Sequence, residues 1–144
     1  MASRMYNRGM FEVINQTTNF DTADIEVLLL LSSYSLNVDS NFVSDVTASE
    51  VSTTNYVRKD LANTTITESD ATDSVILDAD DVVWTALGPS SGGPVIGGAA
   101  IYRNTAVDST SPLINFSDFT DTQVNGGNFT VAWNASGIIV TTSP

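Results

Sequence analysis

The chain contains no cysteine. Disulfide frameworks, thiolate nucleophiles, iron–sulfur clusters and cysteine-ligated zinc are thereby excluded. It contains no histidine either, which removes imidazole general bases, Ser-His-Asp and Cys-His catalysis, and the commonest transition-metal ligand. Positive charge is scarce: five Lys and Arg stand against seventeen Asp and Glu, a formal net charge of −12. Nucleic-acid binding requires Lys and Arg to neutralise phosphates, so no nucleic acid is expected as a partner. An anionic membrane surface is disfavoured for the same reason. Charged residues of both signs make up only 15% of the chain, below the roughly 25% of average soluble domains. Ser, Thr and Asn carry the polar share instead, a composition that suits a cell-surface or particle-exposed protein better than a cytosolic enzyme.

Long apolar runs are missing as well. The opening Met1-Ala2-Ser3-Arg4-Met5-Tyr6-Asn7-Arg8 has basic residues but no apolar stretch behind them, so no secretory signal is expected. The longest aliphatic run, Leu28–Leu31 inside Ile25–Leu31, is far short of the ~20 residues that span a bilayer. A soluble protein with no membrane partner is expected. Asn-x-Ser/Thr sequons begin at Asn15, Asn63, Asn115, Asn128 and Asn134, and without a secretory route none is read as glycosylated.

What is present reads as strand. At 144 residues the chain has the length of one domain, and a chain of this size buries about 68–70% of its extended surface. Ile25, Val27, Leu29 and Leu31 alternate with Glu26, Leu28 and Leu30, the pattern of a strand with one buried face and a second, partly covered one. Leu61–Thr67 has a β-preferring composition. Val75–Leu77 leads into the acidic stretch Asp78-Ala79-Asp80-Asp81, after which Val82, Trp84 and Ala86 alternate with Val83 and Thr85. Val95–Tyr102 is a strand interrupted by Gly97-Gly98, a pair that marks a bulge or a close backbone approach. Leu113–Phe119 is read with Ile114 and Phe116 on one face. Phe129, Val131 and Trp133 alternate strictly, and Ile138–Thr142 is read as running back beside them in a hairpin. Only Phe42–Val46 and Val51–Val57 offer a helical turn or two. Gly88–Pro94 reads as a long surface loop within one domain. The expectation is an all-β protein, a single-domain antiparallel β-sandwich or jelly-roll-like barrel over residues 1–144 with little helix.

Candidate chemistry is sparse. Asp78, Asp80 and Asp81 form the densest carboxylate group. Such a group can hold Ca²⁺, but the EF-hand spacing is missing and Asp at a turn ordinarily satisfies local backbone groups. They are metal candidates only in that limited sense. Paired carboxylates can cleave glycosides without histidine, yet none of the four glutamates or thirteen aspartates sits in a recognisable catalytic context, and no enzyme and no cofactor are expected. Tyr34, Phe42, Tyr56, Trp84, Tyr102, Phe116, Phe119 and Trp133 could stack on sugars, but most fall at alternating strand positions where core packing is the simpler account; Tyr34 and Tyr56 are the exceptions. Residues 1–11 carry Arg4 and Arg8 with Met5, Tyr6, Met10 and Phe11. One account is a frayed terminus. The other is an anchoring arm, because protein interfaces enrich these residue types.

The string resembles small virion structural proteins of tailed bacteriophages. The resemblance lies in Ser33-Tyr34 with Phe42-Val43, Arg58-Lys59 with Leu61–Thr67, Asp78–Val82 with Trp84, and Ile101-Tyr102. It continues through Ser111–Ile114, Phe119-Thr120, Asn125–Thr130 and Trp133–Ile138, and so spans nearly the whole chain. It implies a head decoration or cement protein on the outer surface of the virion capsid. Such a protein binds the major capsid protein, bridges its subunits and is itself a homo-oligomer, dimer or trimer. The resemblance also admits a tail or fibre component that recognises the host or binds carbohydrate.

Overall fold

The structure, a computed structural model, describes residues 1–142. Among them ten strands and one helix follow in order: β1 (Ala2–Met5), α1 (Asn7–Ile14), β2 (Ile25–Leu31), β3 (Lys59–Asp60), β4 (Thr65–Ser69) and β5 (Ser74–Asp78), then β6 (Val82–Trp84), β7 (Val95–Arg103), β8 (Leu113–Gln123), β9 (Phe129–Val131) and β10 (Ile139–Thr142). All strand pairs are antiparallel. They build a five-stranded sheet, β1-β8-β7-β2-β3, a three-stranded sheet, β10-β5-β4, and a two-stranded ribbon, β6-β9. The body is the expected all-β, sandwich-like one with little helix. No helix of the described residues is long and apolar enough to cross a membrane.

The main core lies between the large sheet and the two small ones. Ile25, Val27 and Leu29 of β2 join Ile96, Ala99 and Ile101 of β7 on one side, and Leu77, Val82, Trp84, Val131 and Ile139 close it from the other. The opposite face of the large sheet is also dry. Leu28, Leu30, Ala100, Tyr102, Leu113 and Phe116 pack there beneath Tyr6, Val43 and Val46. The run Ile25–Leu31 is therefore aliphatic in both phases because both faces of its strand are covered; Leu28 and Leu30 are fully buried, more than the partial cover expected of them. The cover includes two 3₁₀ turns, Val43–Asp45 and Thr47–Ser49. These stand where Phe42–Val46 promised a helical turn, and Asp45 Oδ2 accepts from the N–H groups of Asn41 and Phe42 at 2.8 and 3.1 Å. Val51–Val57 is irregular rather than helical.

Bulges set the register. The β2–β7 and β7–β8 ladders shift at Ile96–Gly98, as Gly97-Gly98 led one to expect. A Cβ on Gly97 would fall 2.7 Å from the Cα of Ser32, so the backbone approach itself demands glycine. A second shift places Asn115 opposite Ile101 but Leu113 opposite Tyr102. Ile114 is the extra residue, and this overturns the expected sharing of a face: Ile114 enters the main core while Phe116 packs on the other side.

Elsewhere the chain departs from its local pattern. The expected hairpin of Phe129–Trp133 with Ile138–Thr142 does not form, since β9 pairs with β6 and β10 with β5. The cause is the segment between them. Trp133 donates its backbone N–H to Asp81 Oδ1 and its indole N–H to the Asp80 carbonyl, both at 2.9 Å. Ile138 N–H then bonds the Leu77 carbonyl at 2.9 Å and delivers β10 to β5. The strand expected through Ala86 stops at Trp84, because Ala86 turns to φ 51°. The strand expected from Leu61 begins only at Thr65, after Asn63 turns at φ 52°. Residues 88–94 form a loop between β6 and β7.

Candidate functional site

Of the sequence candidates, the N-terminal group is the one the fold assembles. It is not a loose arm. β1 pairs with β8, Arg4 opposite Phe116 and Met5 opposite Asn115, and Met5 is half-buried against the main core. Tyr6 must be struck from the contact candidates. It is fully buried, its N–H donates to the Ile114 carbonyl at 3.0 Å, and its hydroxyl shares a 3.0 Å hydrogen bond with that of Tyr34. Burial first, and the Tyr34 hydrogen bond second, push the Tyr6 phenol well above its ordinary range.

Helix α1 starts immediately afterwards. Its inner side is made by residues that ordinarily point outward. Gly9 is buried, and a Cβ there would fall 2.6 Å from the Cα of Ile114. Glu12 is only 1% exposed. It accepts from Arg8 at 2.6 Å and Arg103 at 3.2 Å, and from the Thr17 and Thr18 hydroxyls at 2.9 and 3.0 Å. Burial pushes this carboxyl up, but the hydrogen bonds from Thr17, Thr18 and Arg8 outweigh it and hold the group below the usual glutamate range. Among the described residues, the Nε atoms of Arg8 and Arg103 are buried and find no hydrogen-bond partner.

The outer side of α1 is apolar. At roughly 100° per residue, positions 10, 11 and 14 fall within one sector of the helix, opposite Glu12. Met10 is 42% exposed, Phe11 54% and Ile14 81%. The Arg8 guanidinium lies 5.4 Å above the Phe11 ring and 5.2 Å above that of Phe42. Beside the helix, a groove of about 310 Å³ bordered by Arg4, Met5, Met10, Val38 and Ile139 separates β1 from β10. From Met1 to Phe20 the sole acid is the buried Glu12. Of the nearby carboxylates, Asp39 accepts from Asn7 Nδ2 at 2.7 Å and Asp45 caps backbone.

Arg4, Met5 and Met10 are thus brought to one groove, and Arg8 and Phe11 to the adjoining helix face. Ile14 and Phe42 belong to the same surface; the sequence offers Phe42 only as a stacking or core aromatic and does not mark Ile14. The i, i+1, i+4 spacing of residues 10, 11 and 14 was the available signal.

The acidic candidates are used differently. Asp80 Oδ2 accepts from Asn63 Nδ2 at 2.7 Å, and Asp81 holds Trp133. Among the described residues, the carboxylates that gather within 4.8 Å of one another are not Asp78, Asp80 and Asp81 but Asp24, Glu26 and Asp60. That group is threaded by hydrogen bonds from Asn104 Nδ2, at 3.1 Å to Asp24 and 2.7 Å to Glu26, and from the Tyr102 hydroxyl to Glu26. The two aromatic exceptions are tied inward. Tyr34 stacks edge-on against Phe116 at 5.2 Å. The Tyr56 hydroxyl donates to Glu50 at 2.8 Å and accepts the Leu29 N–H at 3.1 Å.

Compared with models of known protein families, with curated proteins and with solved structures, the chain matches none.

Proposed function

We propose that the chain is a structural protein of a tailed-bacteriophage particle, a head decoration (cement) protein that docks through α1 and its neighbouring groove on the outer face of the shell and bridges major capsid protein subunits. The observation that carries this reading is the inverted helix. A surface helix gains stability by turning its apolar stripe inward; α1 instead buries Gly9 and Glu12 and leaves Met10, Phe11 and Ile14 in water. The fold gains nothing from that stripe until a partner covers it.

Size and charge fit the role. The three side chains expose on the order of 300 Å² of apolar surface, against about 800 Å² per partner in a stable pairwise complex. Such a contact is weak singly and effective when repeated over a lattice of equivalent sites. Three of the five cations, Arg8, Arg58 and Arg103, are spent on internal ion pairs with Glu12, Glu50 and Asp108. Most carboxylates therefore face water uncompensated, and a coat of like charge keeps particles apart. The chain acts here as a binder, with no reaction asked of it.

The test is its place in gradient-purified phage particles, by mass spectrometry and cryo-electron microscopy. Many copies on the head surface are expected. Absence from particles contradicts the reading, and a few copies at the tail give the tail or fibre role instead.

A further inference from the structure

We propose that strand β4 is a self-pairing edge, through which two copies of the chain join their three-stranded sheets into one continuous six-stranded sheet about a two-fold axis at Thr67. Among the described residues, the sheet order β10-β5-β4 leaves β4 with one side unpaired. Its other edge, β10, faces β1 across the groove beside α1, and the Ile138 carbonyl just before it accepts from Ser3 Oγ at 2.6 Å. The edges of the large sheet are guarded: β3 is two residues long and carries Lys59, and β1 carries Arg4. An exposed edge invites another strand unless charge, proline, a bulge or brevity blocks it. β4, Thr-Ile-Thr-Glu-Ser, has five residues, no proline and one charge, the anionic Glu68 rather than a lysine or arginine, and pairs with β5 in unbroken register. Four of its five residues are exposed, Ile66 by 42%.

The sequence of the strand selects the occupant. Antiparallel pairing centred on Thr67 sets Thr67 against its own copy, Thr65 against Ser69, and Ile66 against Glu68 of the second chain. The single charge in the strand then meets an aliphatic side chain rather than its like, whereas centring on Glu68 would oppose two carboxylates directly. Thr and Ile are strand formers, and facing threonines pair well across strands. An isologous edge contact closes after two copies, so it specifies a dimer and not a trimer. Each chain carries −12, so the dimer should tighten as salt screens the repulsion. The pairing stands whatever α1 binds, and if α1 docks on a lattice the dimer makes that docking bivalent.

The absence of cysteine makes the test direct, because a single introduced thiol reports on one contact. Opposed residues of an antiparallel pair have Cα atoms about 4.5–5.5 Å apart, within disulfide range. The full chain is prepared as Thr67→Cys, as Met10→Cys on the helix face and as Thr130→Cys on β9. Each is oxidised mildly at micromolar concentration, after circular dichroism confirms the native fold, and the unsubstituted chain is run by sedimentation velocity at low and high salt. The expected result is a dimer favoured by salt, with Thr67→Cys cross-linking at least ten-fold faster than Thr130→Cys. A monomer at all salts, or a dimer in which Thr67→Cys links no faster than Thr130→Cys, overturns the proposal. Preferential linking of Met10→Cys would assign self-association to the helix face and overturns it too.

Discussion

Gly9 of α1 and Ile114 of β8 meet backbone to backbone, so closely that a Cβ on Gly9 would lie 2.6 Å from the Ile114 Cα and nearer still to its carbonyl oxygen. The helix is seated on the bulged residue of the central sheet, and that seat is what fixes its apolar side outward. An exposed glycine replaced by alanine inside a helix stabilises it by up to about 1 kcal/mol. Here the sign reverses. Gly9→Ala is expected to lower stability by about 1–3 kcal/mol through overpacking against backbone that cannot yield, seen as a reduced urea midpoint with an unchanged m-value.

Glu12 is the second fastening of the helix. Its carboxyl is held below the ordinary value of 4.5 in the folded protein, so its stabilising contribution is complete above about pH 4.5 and is lost as pH falls through the lowered value. Glu12→Gln is therefore expected to be less stable than the parent at pH 7, by about 2 kcal/mol. The gap should narrow in urea titrations as pH falls below 4.5 and close once Glu12 is protonated in the folded protein. A gap that persists undiminished in acid would show that the charge of Glu12 is not what holds α1.

Arg58 fastens the segment that follows the 3₁₀ turns. Its guanidinium reaches Glu50 at 2.7 and 2.8 Å and Asp108 at 2.6 and 3.0 Å, joining the segment over β2 to the loop before β8. Asp108 is held below its usual range chiefly by the Arg58 hydrogen bonds. Arg58→Ala is expected to cost about 1–2 kcal/mol, an amount moderated by the solvent exposure of Asp108. Arg58→Lys should recover little of it, because a point ammonium cannot serve two carboxylates as the planar fork does. Urea midpoints of the two variants check this.

Strands whose burial follows local pattern were legible in the sequence. β2 and β7 lie where alternation and aliphatic runs set them, β6 follows its alternation only as far as Trp84, and the Gly97-Gly98 irregularity is a bulge with a close approach. What was not legible depended on distant partners. Helix α1 hides from a search for inward apolar stripes because its inward side is glycine and glutamate; only contact with Ile114, Arg103 and Thr18 makes that side the buried one. Tyr6 read as an interface residue and is core, since β1 draws it under the sheet. β9 and β10 read as a hairpin because Asn134–Gly137 is a good turn, but the bonds of Trp133 to Asp80 and Asp81 part them. The extra residue at Ile114 leaves no local mark, and it moves Phe116 to the other face.

The exposed stripe itself carries the functional account, and it can be separated from folding. Phe11→Ser with Ile14→Ser removes most of the apolar surface of α1 at two positions that take no part in the core. Stability should change by no more than about 1 kcal/mol, mainly through helix propensity. The deciding measurement is the amount of chain bound to phage heads purified from cells that make either the parent or this double variant, with both shown to melt alike. The account predicts heads decorated by the parent and bare, or nearly so, with the variant. Equal decoration by a folded double variant would contradict it.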